Sequence, residues 1–104
     1  MAVNPKPTAV FCASDEMAVG LRAEALKTGL DVPGDLSIVG FDDHDVAAVV
    51  GLTTVAQPVF GAGRLAADVL DRLVRHDDAN EWTPEHHELT LDLLVRSTTA
   101  PPAH

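Results

Sequence analysis

The sequence holds one cysteine, no tyrosine and only four aromatic residues, Phe11, Phe41, Phe60 and Trp82, among 104 residues. A single cysteine excludes an intrachain disulfide, and Cys12, inside an apolar run, reads as a small buried core residue. Bases are scarce as well. Seven of them against sixteen acids give a formal net charge of -9, so nonspecific attraction to a phosphate backbone is not expected of this chain. No apolar run approaches the roughly 18 residues of a membrane span. The start, Met1-Ala2-Val3-Asn4-Pro5-Lys6-Pro7, is polar and proline-rich, unlike a signal peptide. A soluble, cytoplasmic chain is therefore expected, with no membrane partner. Two catalytic signatures are also missing. Gly61-Ala62-Gly63 has neither the full glycine fingerprint nor the lysine of a phosphate loop, and Ser14 lacks the Gly-x-Ser-x-Gly elbow of a serine nucleophile.

Apolar residues, by contrast, make up 46% of the chain, enough for a core in a single domain of ordinary size. Three short apolar runs stand out: Thr8 to Ala13, Leu36 to Phe41 and Leu52 to Ala56. Each has the length and composition of a buried strand, and each stops at polar residues: Ser14-Asp15, Asp42-Asp43 and Gln57. In an open parallel sheet the carboxyl edge is where ligands bind. Between the first two runs, Ser14 reads as the N-cap of a helix over 15–27 with Asp15 and Glu16 in its first turn. Met17, Ala18, Leu21, Ala25 and Leu26 define its buried face. Gly29 is placed for a left-handed C-terminal residue, and Pro33-Gly34 turn the chain into the second strand. Strand, helix and strand form a βαβ unit, so the two strands are parallel. Strand 8–13, apolar on both faces, is expected to be covered by helices on both sides.

The remainder sorts by pattern. Residues 1–7 read as a linker. His44 to Gly51 is a helix of one or two turns capped by Asp45, too apolar to face solvent; it is either buried within the chain or part of a subunit interface. A stronger helix, 59–75, repeats apolar pairs from Leu65 to Val74. It sets Asp68 with Arg72 and Asp71 with Arg75 on its outer face. Residues 76–87 read as a surface loop. From Glu88 to Arg96 the chain alternates as a half-exposed edge strand, with a segment boundary at 97. The tail 98–104 is expected to fray.

Asp42-Asp43-His44-Asp45 invites a metal reading, but consecutive residues on an extended chain point to opposite sides, and no second ligand cluster supports it. His86-His87-Glu88 is a weaker candidate still. No catalytic residue, metal site or cofactor is expected. Two readings remain for the strand ends. In the first, Ser14, Asp42 and Gln57 form a polar pocket: a carboxylate accepts from two neighbouring hydroxyls and an amide both donates and accepts, which suits a sugar or similar polyol. In the second, the two aspartates cap the short helix and Gln57 satisfies backbone groups.

The ordered set Pro7 to Asp15, Met17 to Gly20, Gly29 to Asp43, Leu52 to Pro58 and Leu94 to Thr99 resembles the C-terminal part of the lactose/galactose repressor family of bacterial transcription regulators. The resemblance implies an α/β fold of the periplasmic-binding-protein-like type with two lobes. A small-molecule effector, commonly a sugar or nucleobase, sits between the lobes, and a helix-turn-helix head binds operator DNA. By this resemblance the effector contacts fall on Ser14, Asp42 and Gln57, with Ser14 replacing the more usual asparagine. Val19, Val46, Val49 and Val50 match the dimer region, which favours the interface reading of the short helix. The loop before Leu52 is shorter than the family's and lacks its proline pair.

The resemblance further implies that residues 8–57 belong to the C-terminal lobe, that helix 58–75 packs on a first lobe absent from this sequence, and that operator DNA is reached only through an absent head. The chain is then expected to be a fragment that closes its Leu65 to Val74 stripe by self-association, as a homodimer or larger. Two other functions fit parts of the pattern: a transport-type sugar-binding protein, and a small α/β hydrolase using Asp42 and Asp43.

Overall fold

The computed structural model describes residues 6–75 and 86–102. Among these residues the chain forms β1 (Ala9–Phe11), α1 (Asp15–Lys27), β2 (Ser37–Phe41), α2 (Asp45–Val50), β3 (Thr53–Ala56), α3 (Val59–Arg75) and β4 (Asp92–Leu94). The strands make one sheet in the order β1-β2-β3-β4. β1, β2 and β3 run parallel, and β4 pairs antiparallel with β3 at the edge. The α/β class and the parallel βαβ unit are as the sequence implied, with an antiparallel strand added. Residues up to Ala56 and from Asp92 onward form one compact unit, and Gln57–Leu91 form a second.

In the first unit, Ser14 is extended and its hydroxyl accepts the Met17 N–H at 3.2 Å, capping α1. At the other end Gly29 takes φ 84°, so the Leu30 N–H reaches the Ala25 carbonyl (2.9 Å) and the Gly29 N–H the Leu26 carbonyl (3.3 Å). α2 ends the same way, with Gly51 at φ 70° and the Leu52 N–H on the Ala47 carbonyl at 2.8 Å. Both closures use the left-handed conformation that glycine adopts without steric cost.

The core lies on one side of the sheet. Cys12, Leu36, Ile38 and Leu52 pack with Ala18 of α1 and Ala47 of α2, with Val10 and Leu21 beside them. Burial pushes the Cys12 thiol above its ordinary value, because a thiolate there would give up its hydration. On the opposite side β1 is exposed, contrary to the expectation that it is covered on both faces. Phe11 is 61% exposed and meets Phe41 edge-to-face at 6.2 Å. Leu93, paired with Val55, is exposed as well. The buried face of α1 also differs from the sequence expectation. Asp15, Ala18 and Ala25 are buried while Met17 and Leu26 are exposed, because the small residues let the helix approach the sheet closely and the large ones are left outside.

The C-terminal segment departs most from expectation. The ladder is confined to Asp92–Leu94 rather than 88–97, and the tail is bonded rather than frayed as far as Ala100. Thr98 is buried: its hydroxyl donates to the Ile38 carbonyl (2.7 Å) and accepts the Thr53 N–H (2.9 Å), while its carbonyl accepts the Ile38 N–H (2.9 Å). The Ser37 hydroxyl exchanges bonds with both backbone groups of Ala100. One threonine thus bridges β2 and β3 where they begin. Residues 103–104 of the expected tail lie outside the described residues.

In the second unit, α3 spans the expected range, and Asp71 meets Arg75 at 2.8 Å as the four-residue spacing implied. None of its residues is buried. Its apolar stripe and the His86-His87 segment line a shallow groove of about 480 Å³. Most of the expected loop, residues 76–85, lies outside the described residues.

Thr98→Val keeps the shape and removes the bridge, leaving a buried N–H and a carbonyl short of a partner. Urea unfolding is expected to show a loss of about 1–3 kcal/mol, with an unchanged denaturant slope.

Candidate functional site

β1 and β2 are adjacent and parallel, so their carboxyl ends deliver Ser14 and Asp42 to one edge of the first unit. Ser14 is half-buried and serves as the cap described above. At the end of β2 the backbone does something the sequence did not announce. Asp42 takes φ 113° and Asp43 φ 57°, a left-handed pair that non-glycine residues seldom adopt. The expectation of an extended chain with alternating side chains therefore fails here. The cause lies in the bonds made at the turn: the Asp42 N–H donates to the Val55 carbonyl at 2.7 Å, carrying the ladder one residue past the strand.

The two carboxylates have different fates. Asp43 Oδ1 meets Arg96 Nη2 at 3.0 Å, and Nη1 of the same guanidinium donates to the Leu52 carbonyl at 3.0 Å. Asp43 thereby pairs with a guanidinium that is also bonded to the start of β3, its own side chain staying 30% exposed. Asp42, with its side chain 29% exposed, meets His44 Nε2 at 2.8 Å. His44 occupies the N-cap position without a side-chain bond, and Asp45, the expected cap, is the first helical residue.

Gln57 follows Ala56, the last residue of β3, and opens the second unit; it is exposed, and its carbonyl accepts the Val59 N–H at 2.8 Å. The structure thus places Ser14 and Asp42 together in the first unit and Gln57 in the other. Of the residues matched to a dimer region, Val46 and Val49 are exposed on α2 (37% and 84%), whereas Val19 and Val50 are half-buried, Val50 against the core. Among the described residues no group of three or more His, Cys, Asp or Glu side chains converges as a metal site.

Sequence reasoning passed over Asp15. Read as helix-end charge, it is instead fully buried. Its Oδ1 accepts the Thr54 hydroxyl and its Oδ2 the His44 N–H, both at 2.6 Å. Gly40 makes room for it, since a Cβ there would overlap the carboxylate. Arg96 was also missed, because strand alternation put it on an exposed face. Nothing local distinguishes a capping-turn acid from one folded inward.

A family profile described as a periplasmic binding protein-like domain matches residues 1–99. A LacI family transcriptional regulator from Enterococcus faecalis, solved with bound ribose, superposes at TM-score 0.81. It is 37% identical, over 92% of this chain and 36% of that one. The chain belongs to the lactose/galactose repressor (LacI) family. Two curated members of that family are similar in sequence. The HTH-type transcriptional repressor PurR of Vibrio campbellii is 37% identical over 99 residues, 93% of this chain and 29% of the relative. The repressor CytR of Escherichia coli is 53% identical over 62 residues, 58% of this chain and 18% of the relative. The chain thus spans less than a third of these curated LacI-family relatives.

Gly40→Ala forces a methyl group into the space of the Asp15 carboxylate. Thermal unfolding is expected to show a stability loss of about 1–3 kcal/mol from overpacking, whereas Gly63→Ala, with open space around it, is expected to lose none.

Proposed function

We propose that this chain carries the effector-accepting edge of a LacI-family transcription repressor, and that its ligand is a sugar accepted by Ser14 and Asp42 of the first unit. The observation that carries the reading is the left-handed turn at the end of β2, which sets the Asp42 carboxylate at the ligand edge beside the exposed His44, while Asp43, about as exposed, is engaged by the Arg96 guanidinium. A carboxylate at such an edge accepts two sugar hydroxyls, and the Enterococcus faecalis relative holds ribose. Because Asp43 is tied to Arg96, a two-carboxylate hydrolase lacks its second group, and we read the chain as non-enzymatic.

Within this reading residues 8–57 are lobe structure and 58–75 the helix that packs on a partner lobe. α2, through Val46 and Val49 and with Val19 and Val50 behind them, contributes to a dimer. Operator binding is the work of a DNA-binding head elsewhere in the repressor, since the present chain carries a net charge of -9. The sugar acts by binding one arrangement of the lobes better than the other, which shifts the DNA-competent population. The setting is the cytoplasm, where operator DNA is found.

The test is calorimetric titration of the repressor with a panel of pentoses, hexoses and disaccharides. At least one is expected to bind, and Asp42→Ala is expected to lower its affinity by about 100-fold or more. Two charge-assisted hydrogen bonds at roughly 1.5–3 kcal/mol each set that scale. Operator affinity without sugar should stay unchanged. Sugar binding that survives Asp42→Ala would refute the assignment.

A further inference from the structure

Among the described residues, Asp15 is the charged side chain with no exposure at all. It belongs to none of the contacts proposed for the ligand. Burying a carboxylate is costly unless every lone pair facing the interior finds a donor, and here both oxygens do. The donors come from two different elements: the Thr54 hydroxyl from β3, and the His44 N–H from the turn after β2. At 2.6 Å the Thr54 bond falls in the short range of charge-assisted hydroxyl–carboxylate pairs, and the His44 N–H bond is equally short.

The donors are the ones that fix the turn. His44 immediately follows the left-handed pair Asp42-Asp43. The Thr54 hydroxyl, while donating to Asp15, accepts the Asp43 N–H at 3.4 Å. Consecutive backbone N–H groups are therefore all tethered: Asp42 to the Val55 carbonyl, Asp43 to the Thr54 oxygen and through it to Asp15, and His44 to Asp15 directly. Two non-glycine residues at positive φ persist only where surrounding bonds over-determine them. The Val55 carbonyl holds the first of the three groups, the Thr54 oxygen, itself fixed by Asp15, the second, and Asp15 the third.

We propose that Asp15 is the positioning residue of the ligand edge: its buried carboxylate keeps Asp42 and Asp43 left-handed and so aims the Asp42 carboxylate, without itself touching ligand. The functional part of this inference rests on the sugar-binding reading above; the conformational part does not. Thr54 is the relay. Its hydroxyl passes the constraint from Asp15 to the Asp43 N–H, which valine in its place cannot do and serine can.

The test is NMR on the 104-residue chain without ligand. A residue at positive φ has a short intraresidue distance between amide and α protons, and so a strong cross-relaxation peak. Wild type is expected to show this peak at Asp42 and Asp43. Asp15→Asn presents an NH2 or a weaker acceptor to the His44 N–H, and is expected to lose the strong peaks and the downfield position of the His44 amide while amide shifts in β1 and at the end of α1 hold. Thr54→Val is expected to lose the peak at Asp43, and Thr54→Ser to retain it. Should Asp15→Asn fail to fold, the Thr54 pair decides. Folded Asp15→Asn or Thr54→Val with both peaks intact would overturn the proposal, because Asp15 would then be a stabilising buried charge and nothing more. The peaks are read without sugar, so a failure of the sugar-binding reading would leave this result standing.

Discussion

A buried carboxylate governs the first unit. Asp15 sits at the first turn of α1, where the orphan N–H groups and dipole of the helix favour negative charge, and its two oxygens tie that helix to β3 and to the turn after β2. Several otherwise unrelated features follow from it. Position 40, in the central strand, must be glycine because the carboxylate fills the space of a side chain. Thr54 is buried yet polar because it supplies one of the two donors. The large residues Met17 and Leu26 are pushed to the outside of α1 because Asp15, Ala18 and Ala25 take the inner face. A leucine in place of Asp15 would suit a generic helix face better and would leave the turn untethered.

The same economy recurs at the opposite end of the sheet. Parallel strands begin with backbone groups that have no ladder partner, and the chain meets that need with its own C-terminal segment. Thr98, Ser97 and Ala100 bond to Ile38, Gly51 and Ser37. Arg96, just before them, reaches the carbonyl of Leu52 and the carboxylate of Asp43. The terminal segment therefore closes the amino edge of β2 and β3 and supports the turn at the carboxyl edge through one guanidinium. β4 and this segment are far in sequence from the strands they complete, so the unit is built from two separated stretches, 6–56 and 92–102. Apolar side chains remain exposed on β1 and β4 and along α3, Phe11, Leu93, Leu70 and Val74 among them.

Much of this was legible in the amino-acid sequence because it depends on local rules. Apolar runs of strand length, the cap at Ser14, the glycine after Lys27 and the four-residue pairs of α3 each follow from backbone geometry within a few residues. α1 and α3 accordingly fall where the pattern put them. The polar strand ends were visible for the same reason, and so was the edge position of β4. What the sequence by itself determined is the order and type of elements and the chemistry offered at the carboxyl edge.

Tertiary structure decided what each of those groups meets. Asp42 and Asp43 are identical neighbours in the sequence and almost equally exposed; one meets His44 two residues on and the other Arg96, because a residue 53 positions away supplies the guanidinium. Asp15 and Glu16 are likewise adjacent acids in one helical turn, and only the first faces a threonine donor 39 residues distant. Thr98 looked like frayed tail and became a bridge between strands. In each case the deciding bond joins residues far apart in the chain, and a side chain's local context carries no record of the partner that folding brings to it.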